Sequence, residues 1–258
     1  MKKNKQKKQP NPDGSMSLTG HLSELRNRIV VICLVVVVGI VVCFALSGQI
    51  IELLTHISKN TDYNFVSIKP QETLMACFTI SLIGGLVIGS PIIAYEFFAF
   101  SSPGLKKKEK TFVLLALIFG FLCFVVGVFF AYKIMLPFML RFLISFSTNI
   151  GILSQISIQE YISFIMLIFI IFGIIFELPV ISVLMTSLGL IKPDWLVKAR
   201  KVMIVGIFVL AALITPPDIV SQIMVAIPII FLYEISIILS RLVYKLRRKK
   251  ADEDEDDD

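Results

Sequence analysis

Three carboxylates stand out by where they fall. Glu24 lies in HLSELRNR and Glu109 in FSSPGLKKKEK, each among basic residues and each at the edge of a long apolar run. Glu177 lies well inside another apolar run, followed two residues later by Pro179. Two carboxylates at the entry to a membrane suit a guanidinium ligand, because arginine's planar fork meets a carboxylate through two parallel hydrogen bonds. A pair of adjacent arginines would want two such acceptors. The plainer alternative is that each glutamate pairs with a neighbouring Lys or Arg at a helix end, a contact worth about 0–1 kcal/mol. An ionised carboxyl at the depth of Glu177 costs about 2.5–3.5 kcal/mol or more, so such a group faces a bundle interior, a cavity or a partner. Three uses stay open for it: a bond to Ser or Thr of another helix, a polar contact for a partner helix or peptide, or a proton relay. Pro179 adds a second polar point there, since its missing N–H leaves the carbonyl of Ile175 without its usual helical donor.

Other chemistries find little support. Cys33, Cys43, Cys77 and Cys123 lie in or at the ends of apolar runs, with no CxxC or Cys/His metal spacing, and read as small apolar filler. His21 and His56 stand apart from them and outside the apolar runs, so neither a metal site nor a buried Ser/His pair is expected. HExxH is absent. No catalytic residue, cofactor or metal is assigned. The formal net charge of +6 sits in tails and alternate loops rather than on a basic face with interleaved aromatics, which argues against nucleic acid. A secondary transporter or channel predicts several charges inside the membrane and often internal repeats, whereas Glu177 is nearly alone and no clear repeat appears.

The elements that must position these groups are membrane helices. Of the 258 residues, 56% are hydrophobic and 17% charged, against about 45–50% and about 25% in soluble domains. The excess is concentrated in long apolar runs. The expected spans are 29–47, 74–100, 112–143, 162–188, 202–214 and 219–240. The fold class is therefore an all-α integral membrane protein of six transmembrane helices, the last two short. Leu22, Leu25 and Ile29 make a short amphipathic lead-in to the first span, which is too long for the h-region of a cleaved signal peptide. Gly84, Gly85, Gly89 and Pro91 mark a bend in the second span, and Pro137 one in the third. The fifth run covers thirteen residues, about 20 Å of helix against a hydrocarbon core of about 30 Å. Tied to the sixth by TPPD, residues 215–218, it should thin the bilayer locally. Residues 1–17 read as a disordered basic tail, 18–243 as the membrane domain, and 244–258 as a charged tail whose acidic run ADEDEDDD should be disordered. Residues 48–72 read as a polar outer loop, and 144–160 as a cap on the same face.

Orientation follows from counting. Twenty-one of the 25 Lys and Arg lie in the N-terminal segment, the 101–111 and 189–201 loops and the C-terminal segment; Lys59, Lys69, Lys133 and Arg141 make up the rest. By the positive-inside rule both termini are cytoplasmic, in agreement with an even number of spans.

Four motifs occur in order at matching depths: HLSELRNRI, YEFFAFSSPGLKKKEK, FGIIFELPV and LITPPDIVSQ. Over about residues 18–243 the chain resembles TatC, the multispanning subunit of the twin-arginine protein translocase. The resemblance implies a location in the bacterial cytoplasmic (inner) membrane and a role in receiving twin-arginine signal peptides of folded cargo at the cytoplasmic face. It further implies assembly with small single-span TatA/TatB-type subunits and other copies of itself, and transport driven by the proton-motive force. Glu24 and Glu109 match the family's signal-binding carboxylates; Arg26, Phe100, Pro103, Gly104 and Leu105 match its recognition surface. Glu177 matches the membrane-embedded acid, and Pro216 and Asp218 the outer-face turn. The chain departs from the family in having Glu96 and Phe98 where Gln and Trp are common. Glu96 is thus a third acid that joins the site or competes for a nearby lysine.

Overall fold

The computed structural model describes residues 18–56, 64–101, 107–149, 155–215 and 218–256. The tail 1–17, Pro103, Gly104, Leu105 and Pro216 lie outside them. The chain runs α1 (Leu18–Ala45), α2 (Ser47–His56), β1 (Asn64–Val66), α3 (Glu72–Ser101) and α4 (Lys107–Phe130). A π-turn (Ala131–Met135), α5 (Leu136–Asn149), β2 (Gln155–Ser157), α6 (Ile158–Phe176), α7 (Leu178–Ser187), α8 (Pro193–Ile214) and α9 (Ile219–Asp256) complete it.

Among the described residues five helical stretches are long and apolar enough to cross a membrane: Leu22–Ala45, Glu72–Phe97, Val113–Leu143, Ile158–Ser187 and Ile219–Arg248. α8 has 22 residues, but Asp194, Lys198, Arg200 and Lys201 occupy its first half and leave the apolar remainder Val202–Ile214. The bundle's burial pattern fits a lipid solvent. Val30, Leu34, Val37 and Val41 of α1 face outward, while α6 lies in the middle and buries Ile162, Ile165, Ile168 and Phe172. Helices α3 and α4 flank α6, α1 packs on α3, and α9 packs on α7 and α8.

The α1–α3 contact is close because both helices present glycine. A Cβ built on Gly85 would stand 2.7 Å from the backbone nitrogen of Ile40, and one on Gly39 3.0 Å from the Cα of Gly85. Without side chains between them the backbones nearly touch, the approach that dispersion favours where lipid supplies no hydrophobic drive.

Two ends can be distinguished. At one, which we call the basic end, lie the starts of α1, α4 and α8 and the finishes of α3, α7 and α9. The other carries a parallel pair of short strands, with Phe65 opposite Ile156. Here the segment 48–72 departs from the polar loop expected: α2 packs its apolar side on α3, because Ile50, Ile51 and Leu54 recur at helical spacing. The Tyr161 hydroxyl donates to the carbonyl of Leu54 at 2.8 Å. Glu72, 8% exposed, accepts from the Ile68 N–H at 3.1 Å and the Ser157 hydroxyl at 2.9 Å, tying β1, β2 and α3 together.

Two further features concern continuity, the first at the expected bend and the second a departure. The third span is interrupted where the Leu136 N–H reaches the carbonyl of Ala131, five residues back, just before Pro137 removes a donor. At the C-terminus α9 continues to Asp256, so residues 251–256 are helical where the acidic run was expected to be disordered. The helix is already propagating from Ile219, so extending it needs no new nucleus.

Candidate functional site

The basic end gathers the charges. Helix α1 enters there, and its Glu24 and Arg28 are four residues apart, hence adjacent on one face. Arg28 donates from Nε to Glu24 Oε1 at 3.1 Å and from Nη2 to the same oxygen at 2.5 Å. Its Nη1 donates to Glu96 Oε2 of α3 at 2.7 Å. All three side chains are partly shielded yet reachable: Arg28 is 22% exposed, Glu24 25% and Glu96 15%. Register explains the meeting. Arg28 lies eleven residues before Gly39, and Glu96 eleven after Gly85. Antiparallel helices crossing at those glycines carry both residues about three turns, roughly 16 Å, to the same end.

The plainer alternative for Glu24, a pairing with a neighbouring arginine, is therefore its state here. Glu96, the third acid, joins this cluster through Arg28 rather than through a lysine. Sequence reasoning counts Arg28 only as a topological charge and misses it as a site residue, although its four-residue offset from Glu24 is a readable signal. Of the other expected site residues, Arg26 is exposed and Phe100 half-buried near the finish of α3. Glu109 stands in the first turn of α4; its side chain lies outside the described residues.

Glu177 sits where α6 gives way to α7. Its N–H closes a tight turn on the carbonyl of Ile174 at 3.1 Å, and Pro179 stands at the start of α7. The carboxylate lines a cavity of about 90 Å³ together with Ser90 and Pro91 of α3, Ala116 and Gly120 of α4, and Val180. Among the described residues nothing hydrogen-bonds it. A cavity of this size has room for a few water molecules.

Asp218 caps the start of α9: its Oδ1 accepts from the Ser221 N–H at 2.7 Å, satisfying one of the helix's free donors and meeting the positive dipole end. Nearby, Gln222 Nε2 donates to the carbonyl of Phe208 on α8 at 2.9 Å. At the basic end Arg200 of α8 pairs with Glu234 of α9 at 2.7 Å, and the hydroxyls of Thr186 and Ser240 share a 2.6 Å bond between α7 and α9. Helix α7 stops at Gly189, whose φ of +77° is the left-handed turn that ends a helix without a Cβ penalty. No group of three or more His, Cys, Asp or Glu suited to a metal occurs among the described residues.

Comparison with known proteins places the arrangement. Residues 20–228 match the family described as Sec-independent protein translocase protein (TatC). The chain belongs to the TatC family. It is 36% identical to TatCy of Bacillus subtilis (strain 168) over 241 residues, 93% of this chain and 95% of that protein. To TatC of Aquifex aeolicus (strain VF5) it is 36% identical over 238 residues, 91% of this chain and 98% of that protein. The crystal structure of a twin-arginine translocase receptor TatC superposes with a TM-score of 0.77 at 35% identity, covering 86% of this chain and 99% of the other. As a TatC protein the chain is a multi-pass protein of the inner membrane and a component of a Sec-independent translocase, a transport family rather than a catalytic one.

Proposed function

We propose that the basic end is the cytoplasmic receptor face for twin-arginine signal peptides of folded cargo. Glu24 and Glu109 accept the two guanidinium groups, and Arg26, Phe100, Pro103, Gly104 and Leu105 form the surrounding surface. The observation that carries this reading is the Glu24 carboxylate, a quarter exposed at the mouth of the bundle and already engaged by a guanidinium fork. The likeness to a twin-arginine translocase receptor of known structure supports it.

In this reading α8 is a sixth, short span and both termini face the cytoplasm. Glu177, Pro216 and Asp218 face small single-span TatA/TatB-type subunits, further copies of the chain assemble alongside, and the proton-motive force drives cargo across. The test is direct binding of a synthetic RR signal peptide to the detergent-solubilised full chain. Glu24→Ala and Glu109→Ala should each weaken binding by about ten- to a hundredfold, the scale of one lost charge-assisted hydrogen-bond set at about 1.5–3 kcal/mol. Wild-type affinity in both variants rejects these residues as the site.

A further inference from the structure

We propose that Arg28 is a built-in competitor for Glu24, that a signal arginine binds by exchange with it, and that Glu96 receives Arg28 when it is displaced. The proposal rests on the reading that Glu24 takes a signal arginine, and adds what that arginine must displace.

Stoichiometry is the first support. One guanidinium serves two carboxylates, so the trio keeps a residual negative charge that attracts a second cation. The acceptor inventory is the second. Arg28 uses Oε1 of Glu24 and Oε2 of Glu96. Among the described residues the remaining oxygen of each carboxylate takes no hydrogen bond, so an incoming donor has a place to begin before Arg28 leaves. Attachment is the third. Glu24 and Arg28 ride on one helix, whereas Glu96 is held on the neighbouring helix by the glycine crossing. Arg28, already bonded to Glu96, therefore lets go of Glu24 by a side-chain rotation, without a helix shift.

Exchange sets the contact that an incoming cation must match. When a peptide guanidinium replaces Arg28 on Glu24 and Arg28 settles on Glu96, the number of guanidinium–carboxylate contacts is conserved. A lysine ammonium is a compact point charge without the fork. It removes Arg28 from a two-donor contact and returns a poorer one. Displacing Arg28 costs the same for either ligand, so it sets a threshold that every cation must clear, while the preference itself comes from the better contact the fork makes. Gln at position 96 lacks the charge that makes this parking place, so the exchange is a property of chains that carry the acid there.

The experiment measures affinities of RR, KK and QQ versions of one synthetic signal peptide for the detergent-solubilised full chain, in wild type, Arg28→Gln, Arg28→Lys, Glu96→Gln and the Arg28→Gln/Glu96→Gln double variant. Arg28→Gln should bind RR about tenfold tighter, the scale of one charge-assisted contact no longer displaced. KK should gain by a similar factor, because both peptides are spared the same displacement, and the RR-to-KK ratio stays set by the fork. Arg28→Lys should fall between. Glu96→Gln alone should weaken RR binding, and that loss should vanish in the double variant. If wild type does not prefer RR to QQ, the receptor reading fails and exchange falls with it. If RR is preferred but Arg28→Gln leaves the RR affinity unchanged, exchange alone is overturned. It is equally overturned if both Arg28 variants lose RR binding while melting like wild type, or if Glu96→Gln costs the same with and without Arg28.

Discussion

A single acid inside an apolar span has few tolerable surroundings, and Glu177 occupies one of them. Its carboxylate opens into a small cavity between α3, α4 and α7, at the point where the helix is already broken and Pro179 withholds an N–H. A partner helix offering a polar group at that depth finds the carboxylate; the Ile175 carbonyl, expected to lack a donor, takes the Glu177 N–H instead. Hydrogen bonds of this kind are worth about 0.6–2 kcal/mol in membranes, which suits a reversible contact. Glu177→Ala should leave RR-peptide binding at the basic end intact, yet lower crosslinking of the α6–α7 region to the single-span subunit and lower transport. Glu177→Gln, whose amide still hydrogen-bonds, should retain more of both. A Gln variant as inactive as Ala, with crosslinking unchanged, points instead to protonation. At this scale the sequence is informative about which residues are unusual and silent about what they touch. Glu24 and Glu177 are visible by depth and charge alone. That Glu24 meets Arg28 is legible as a four-residue offset, but Glu96 lies 68 residues further on, and its place depends on a helix crossing that no local pattern encodes.

Elements follow the same division. Long apolar runs announce five of the helical stretches because a bilayer leaves the backbone no other way to satisfy its hydrogen bonds. Shorter features are not announced: α2, the three-residue strands and the π-turn draw their stability from contacts with α3, α6 and one another rather than from their own composition. The crossing of α1 and α3 is intermediate. In the sequence its glycines suggest a bend, whereas in the fold they serve as a contact surface for α1. Gly85→Ala should therefore act far beyond its size. The new methyl meets the backbone of Ile40 at 2.7 Å, and a backbone cannot rotate away as a flexible side chain can. Overpacking of this kind costs about 1–3 kcal/mol or more, and pushing α1 outward also draws Arg28 from Glu96. Gly48→Ala in α2 is the control, since nothing lies within 4 Å of its added carbon and alanine is the better helix former by about 1 kcal/mol. Thermal unfolding in detergent should show Gly85→Ala melting well below wild type and Gly48→Ala at or above it. Equal melting of Gly85→Ala and wild type removes the close-packing account.

Across the whole molecule, charge and length decide how the bundle sits. The segment 101–111, the loop beginning at Gly189 and the starts and finishes that cluster at the basic end carry most of the Lys and Arg, while Lys69, Lys133 and Arg141 lie toward the strands. A Lys or Arg excess sets orientation when it lies in short loops close to span ends, as these do. In the orientation proposed above the strand end is external. The apolar remainder of α8, thirteen residues or about 20 Å of helix, falls short of a core of about 30 Å. With α8 as the proposed sixth span and α9 beginning at Ile219, one wall of the bundle is shorter than the others, and lipid beside it should thin or tilt to match. Orientation is the part of this picture that a chemical label settles. In a background lacking Cys33, Cys43, Cys77 and Cys123, single cysteines at Leu190, 60% exposed at the basic end, and Ile68, 71% exposed beside the strands, present thiols to opposite sides. A membrane-impermeant maleimide added to sealed cells should label position 68 and spare position 190 until the membrane is opened. Labelling of position 190 from outside inverts the bundle, and with it the receptor face would lie on the wrong side of the membrane to meet cargo synthesised within the cell.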